Sequence, residues 1–426
     1  MAQFSTSVYQ NEFLPDGGTD VHAIVTVTCT GAGEAGRTGS GEAAEIIIVD
    51  TSGSMAYDKI NAAKAAAAAA VDHVLDGTWF AVIAGSHEAR LAYPFQASES
   101  GMVRMDARNR QAAKAAVASF SADGGTAMGT WLRLATRVFA SVPSATQRHA
   151  ILLTDGQNQH ESPEQLSAAI EASRGQFQCD ARGVGADWEV AELRRIATGL
   201  LGTVDLIPQP YELAAEFERL MRASMARGVA EAQLRVWTPQ GAQVLFVRQV
   251  SPTVEDLTAH RQQVNPLTGA YPTGSWGDES RDYHVAVRLP AKPIGAEQLA
   301  ARVQLAVGGE QVAQSLVKAM WSADDALTTR INPHVAHYTG QAELADAIQE
   351  GLAAKAAGDD AAATAKLGRA VQLAAGTGNV EVTQRLRKVV DIENPEAGTV
   401  RLRRDVSKID EMALDTSSTK TSRVRR

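Results

Sequence analysis

Glu45-Ile46-Ile47-Ile48-Val49-Asp50-Thr51-Ser52-Gly53-Ser54-Met55 decides the fold of this chain. Four β-branched residues, Ile46 to Val49, run straight into Asp50. Such a run reads as a strand buried on both faces, the kind found inside a parallel sheet. Small oxygen-bearing side chains and a glycine follow, and then an alanine-rich helical run begins. Asp50, Ser52 and Ser54 therefore fall on a tight turn at the carboxyl end of a central strand, where open α/β sheets bind ligands. One carboxylate and two hydroxyls are hard oxygen ligands that suit Mg²⁺ or a similar ion and not zinc. A plainer reading makes Asp50 a helix N-cap and the two serines turn formers.

Outward from that stretch, residues 43 to about 224 alternate strand and helix, as a doubly wound domain does. Lys59–Leu75 is an alanine-rich helix, Trp79–Ala84 a strand with Ala89–Phe95 pairing beside it, and Asp106–Ser119 a helix. Gly124-Gly125-Thr126 is a loop leading into the helix Met128–Ala140. Ala150–Thr154 is a second apolar strand, again ending in an acid, Asp155. Pro163–Ser173 is a helix with Ser162 placed to cap it. Gln178–Val184, Val190–Ala197, Gly202–Pro208 and Tyr211–Arg227 complete the series.

Asp50-x-Ser52-x-Ser54 after one apolar strand, Thr126 on a later loop and Asp155 after another strand together resemble the metal-ion-dependent adhesion site (MIDAS) of von Willebrand factor type A (VWA) domains, of the bacterial cytosolic kind. The resemblance implies a Rossmann-like α/β domain. It places Ser52, Ser54 and Thr126 on a divalent ion, with Asp50 and Asp155 bound directly or through water. It implies Mg²⁺, with Mn²⁺ or Ca²⁺ also accepted. It leaves one position for an Asp or Glu of a partner protein, so the expected role is a metal-dependent protein-interaction scaffold, in signalling or stress response, and not an enzyme.

The flanks have other textures. Val21, Ala23, Val25, Val27 and Cys29 alternate with His22, Ile24, Thr26 and Thr28, which reads as a strand with one face buried. Residues 31–41 carry Gly31-x-Gly33-x-x-Gly36, but a strand follows where a dinucleotide site needs a helix, so a linker is the better account. From residue 230 the pattern turns all-β, with Gln233–Thr238 and Gln243–Val250 flanking a turn, then Tyr283–Leu289, Ala301–Val307 and Gln311–Trp321. The Val21–Thr30 strand has no place in the α/β sheet. It is expected to pair with these later strands, which makes the α/β domain an insertion into a β-sandwich. Residues 271–283 read as a polar loop carrying Tyr271, Trp276 and Tyr283, suited to recognition or packed over a sheet edge. Glu343–Ala357, Ala361–Ala375 and Val380–Val390 are helices, with Leu344, Ile348 and Leu352 on one face and Leu367, Val371 and Ala374 on another. The last residues are polar, basic and without periodicity, a disordered terminus or a phosphorylatable tail through Thr416 or Thr419. The expected divisions are 1–42 (first sandwich strand and linker), 43–228 (α/β), 229–330 (rest of the sandwich), 331–392 (helical) and 393–426 (tail).

Composition narrows the function classes. The 426 residues carry a net charge of −8, which gives no reason to expect nucleic-acid binding. The two cysteines, Cys29 and Cys179, fall in different predicted elements and imply no disulfide framework. No apolar run approaches the ~20 residues that span a bilayer. The first residues lack the basic and apolar regions of a signal peptide, so a cytoplasmic location is expected. A haloacid-dehalogenase-type phosphatase needs a second acid two residues after the first, and Ser52 stands there. No phosphate-binding Gly-x-x-x-x-Gly-Lys loop exists. His334 and His337 follow Asn332-Pro333, which reads as an irregular segment. A metal-assisted hydrolase is the alternative, with His160 as its only candidate base. A phosphorylation-controlled adaptor using the tail is another. Neither the partner nor the oligomeric state is written in the sequence.

Overall fold

A computed structural model describes residues 2–36, 42–95 and 101–424. Residues 37–41 of the glycine-rich stretch and 425–426 of the tail lie outside these. The chain forms two compact units: an α/β unit built mainly from residues 31–231, and a second unit from Gln3–Thr30, Ala232–Thr273 and Glu279–Arg426.

In the α/β unit the strands lie in the order Val204–Ile207, Gln178–Val184, Ala145–Thr154, Glu42–Asp50, Trp79–Gly85 and Ala89–Tyr93. The first five run parallel, and Ala89–Tyr93 is an antiparallel edge. Ile46, Ile47, Ile48 and Val49 are fully buried. Ile47 and Val49 share one core with Ala63, Ala67 and Val71 of the helix Asp58–Asp72 and with Phe217 and Met221 of the helix Leu213–Met225. After Trp79–Gly85 the chain crosses back, so strand order reverses between Glu42–Asp50 and Ala145–Thr154. That crevice is where a doubly wound sheet binds ligands, and the carboxyl ends of these two strands deliver Asp50 and Asp155.

Nearer the amino ends of Glu42–Asp50, Ala145–Thr154 and Gln178–Val184 lies a buried ionic row. His149 Nδ1 meets Glu45 Oε2 at 2.9 Å and its Nε2 meets Asp180 Oδ2 at 3.0 Å. Glu45, His149 and Asp180 are 0, 2 and 4 % exposed, so solvent screens none of these charges. Ser224 on the last α/β helix donates to Glu45, and the Thr203 N–H and hydroxyl both donate to Asp180. Burial pulls the imidazolium of His149 down, but the Glu45 charge and the hydrogen bonds outweigh it and hold the group up at about 9.

In the second unit one antiparallel sheet runs Gln3–Gln10, Asp20–Thr30, Ser280–Arg288, Gln243–Ser251, Glu255–Asp256. The strand Asp20–Thr30 thus leaves the α/β sheet and pairs along its length with Ser280–Arg288. The second sheet runs Gln262–Asn265, Thr268–Trp276, Val229–Trp237, Glu297–Val307, Glu310–Trp321, Phe13–Leu14. The loop expected over 271–283 is instead the meeting of two strands, Thr268–Trp276 and Ser280–Arg288. Tyr271, Trp276 and Tyr283 are fully buried, so they serve the core and not recognition. Threonines, serines and glycines between the aromatics gave that stretch its loop-like look.

Pro333 opens the helix Pro333–Ala356 with the Asn332 side chain capping His334 N, so that segment is regular where irregularity was expected. Asp360–Thr377 and Val380–Val389 follow, and Leu344, Ile348, Leu367, Val371 and Leu386 form their shared core. The terminal segment is ordered, contrary to the disordered reading. Val390–Asn394 and Thr399–Leu402 form a hairpin, and Lys408–Ser417 is a helix whose Leu414 joins the helical core. The chain then runs beside Ser251–Val254. Val254 N donates to Thr419 O, Thr421 N donates to Pro252 O, and Arg423 forks onto the buried Asp282. Thr26 and Tyr338 hydroxyls also donate to that carboxylate. Charge content hid this order, because most of the tail's basic side chains face outward while Met412, Leu414 and Thr416 face in.

Candidate metal centre

Asp50 ends its strand fully buried, and its two oxygens have different neighbours. Oδ1 accepts from Ser52 N at 2.7 Å and Oδ2 accepts from the Thr154 hydroxyl at 2.5 Å. The first bond closes the turn that aims Ser52 and Ser54, whose hydroxyls lie 2.9 Å apart. Ser54 Oγ donates to Asp155 Oδ1 at 2.7 Å. Asp50, Ser52, Ser54 and Asp155 therefore form one continuous polar row across the switch crevice.

The third loop is pinned against this row by its backbone. Gly53 N donates to Gly124 O, and Asp123 N donates to Thr51 O, both at 2.8 Å. The helix Met128–Ala140 starts with its N–H groups turned to the next loop: Met128 N donates to Asn158 Oδ1 and Gly129 N to Glu161 Oε1. Thr126 N donates to His160 Nδ1 at 3.2 Å and His160 N to Thr126 O at 3.0 Å. With Nδ1 accepting, the neutral His160 ring carries its proton on Nε2. Gly156 shows where the three loops converge: a Cβ there would sit 3.1 Å from Ser54 Oγ and 3.4 Å from Thr126 Oγ1. All five residues expected from the sequence are thus brought to one place.

The electrostatics are those of an under-compensated anionic pocket. Burial pushes the Asp50 carboxyl up to about 6, against the hydrogen bonds from Ser52 and Thr154, and the Asp155 charge adds to the rise. Two buried carboxylates lined by hydroxyls match the ligand set of a hard divalent cation. Among the described residues no group of three His, Cys, Asp or Glu side chains is placed to hold a metal, so an ion here depends on the hydroxyls.

Three groups escaped the sequence reading. Thr154 braces Asp50. Lys59 Nζ lies 2.5 Å from Asp155 Oδ2 and 3.3 Å from Asp187 Oδ2. Burial pulls Lys59 down, and Asp155 and Asp187 together lift it above its ordinary value. The available signal was position: a lysine in a first helical turn opposes the helix dipole and calls for a carboxylate nearby.

An open-sheet α/β domain with an oxygen-lined cleft at its switch point is the class this geometry defines. The von Willebrand factor type A domain profile matches residues 44–205, and the von Willebrand factor type A C-terminal domain profile matches residues 372–418. The second match takes in most of the ordered tail. A solved von Willebrand factor type A protein from Catenulispora acidiphila is 48% identical, with a TM-score of 0.92, covering 99% of this chain and 97% of that one. The ArnB paralog VWA2 from Sulfolobus acidocaldarius shares the fold at 16% identity, with a TM-score of 0.62 and 98% of each chain covered. An uncharacterised protein from Synechocystis is 29% identical over 220 residues, 51% of this chain and 50% of that protein, so the match spans about half its length. The chain belongs to the von Willebrand factor type A family, whose domains typically mediate metal-dependent protein interactions.

Proposed function

We propose that the chain is a divalent-cation-dependent protein-binding module that works through the Asp50 cleft. Asp50, Ser52, Ser54, Thr126 and Asp155 would hold the ion, Mg²⁺ first and Mn²⁺ or Ca²⁺ as alternatives. The observation that carries the reading is the meeting of the Ser54 and Thr126 hydroxyls over Gly156, between two fully buried carboxylates. A bound ion supplies the positive charge that accepts an Asp or Glu carboxylate of the partner. The protein's part is orientation. Thr154 and Ser52 N fix the Asp50 oxygens, and the Gly53–Gly124 bond fixes the distance between the loops.

Binding is favoured over catalysis by His160, the candidate base read from the sequence, because its Nδ1 already accepts from Thr126 N. Cys29 and Cys179 are both buried and unbridged. Among the described residues no helix is long and apolar enough to cross a membrane.

The test is thermal unfolding with and without millimolar Mg²⁺, Mn²⁺ or Ca²⁺, on wild type and Asp50→Asn. An ion at 100 times its dissociation constant adds about 2.7 kcal/mol. A rise in wild type that the variant lacks is the expected result. No rise with any of the three ions overturns the reading.

A further inference from the structure

Lys59 is the second residue of the helix Asp58–Asp72. Helical side chains lean toward the helix N-terminus, which carries this one back over the Ser52–Ser54 turn. Its ammonium then shares Asp155 with the Ser54 hydroxyl, Lys59 on Oδ2 and Ser54 on Oδ1. Asp155 is fully buried, while Asp187, the second carboxylate near Lys59, is 73 % exposed and screened by water. Most of the charge interaction of Lys59 is therefore with a residue of the proposed metal centre.

The charges can be counted. Asp50 and Asp155 contribute two negatives and Lys59 one positive, so the cleft carries a net −1. A divalent ion turns this into +1. The same cleft without Lys59 would go from −2 to zero. We infer that Lys59 is a built-in third cation of the site, which weakens the hold on the metal ion and leaves the loaded site one positive charge in surplus for a partner carboxylate. This rests on the metal-centre reading above and adds the residue that sets the balance between its two ligands. Partner binding then neutralises the cleft completely, and ion and partner are each held better in the presence of the other.

The inference demands opposite effects on two affinities, which a merely structural lysine cannot produce. If Lys59 only propped up Asp155, its removal would weaken both. Lys59→Met and Lys59→Gln remove the charge and keep much of the reach, and Lys59→Arg keeps the charge. The side chain is partly exposed, at 27 %, so these changes do not empty a core site.

The experiment has two steps on the full chain. Mn²⁺ alone is titrated by calorimetry into wild type and the three variants. Acetate is then titrated into the Mn²⁺-loaded proteins while water-proton relaxation is followed, since acetate displaces metal-bound water. Lys59→Met and Lys59→Gln are expected to bind Mn²⁺ at least about tenfold more tightly and acetate several-fold more weakly, the lower limit being a unit charge ~6 Å from a divalent ion at the dielectric of water. Lys59→Arg is expected to follow wild type on both. Equal Mn²⁺ affinity in wild type and the neutral variants, or weaker binding in the variants, overturns the inference while leaving the metal centre intact. Unchanged acetate affinity in variants that hold Mn²⁺ more tightly overturns the surplus charge. No Mn²⁺ binding by any of the proteins overturns the metal centre itself.

Discussion

Raising the pH should loosen the α/β unit through one residue, His149. In the folded chain its imidazolium is held up at about 9 between Glu45 and Asp180. In the unfolded chain it titrates near ~6.5. A group whose folded value is raised contributes stability that is whole below the unfolded value and is lost as pH climbs through the folded one. The window is therefore about 6.5 to 9. The difference of roughly 2.5 units corresponds to a loss on the order of 3 kcal/mol. Asp180 is held low by His149, so its own contribution fades only in acid and leaves the alkaline window to His149. Urea unfolding followed by fluorescence of the buried Trp131 and Trp188 reports on this unit. With a slope of ~3 kcal/mol per molar, the midpoint should fall by about 1 M between the ends of the window. His149→Gln should flatten the decline. The His149 ring protons, followed by NMR in the unsubstituted chain, should titrate near 9. A midpoint at or below about 6.5, or an equal decline in His149→Gln, would refute the account of the buried row.

Other substitutions probe other parts of the argument. Gly183→Ala puts a Cβ 2.0 Å from the indole of the fully buried Trp188, and thermal unfolding should show a loss of about 1–3 kcal/mol. Tyr57 holds φ 64° and is 88 % exposed, so Tyr57→Gly removes strain and no packing. It should raise the urea midpoint by the equivalent of about 1 kcal/mol, the strain relieved less the added freedom of the unfolded chain. Thr416 is 1 % exposed and donates to Met412 O, so Thr416→Asp buries an uncompensated charge and should cost at least about 2 kcal/mol in the second unit. The same burial predicts that a kinase added to the folded chain leaves Thr416 unmodified, as read by mass spectrometry.

The sequence was most informative where one physical demand dominates a stretch. Ile46–Val49 can satisfy four consecutive β-branched side chains only between two helical layers, so the central strand and its acidic end were legible. Ser162 before Pro163 announced a helix start, and the structure adds a capping box with Gln165. Legibility failed where order comes from distant partners. Gln3–Gln10 carries no clean alternation, with Ser5, Thr6 and Ser7 in a row, and its pairing with Asp20–Thr30 makes it a strand. The tail is charged on its surface and held by a few inward residues and by Asp282, which lies 141 residues before Arg423. At the cleft the five oxygen-bearing residues that meet there followed from spacing and resemblance. Lys59 and Thr154 did not, because their roles come from where a helix start and a strand end meet in space.

The insertion of one unit inside the other sets a schedule for synthesis. Thr28 and Ser280 pair across their hydroxyls, 252 residues apart in sequence. At a ribosome speed of ~5–20 residues per second, the strand ending at Thr30 waits roughly 13–50 s for its neighbour to be made. Over that interval Val21, Ala23, Val25 and Val27 have only Gln3–Gln10 beside them, while the whole α/β unit emerges and can fold from local βαβ contacts. The nascent chain therefore carries a half-built sheet with an open apolar edge behind a finished domain. Until Ser280–Arg288 arrives, that edge is open to pairing with another chain.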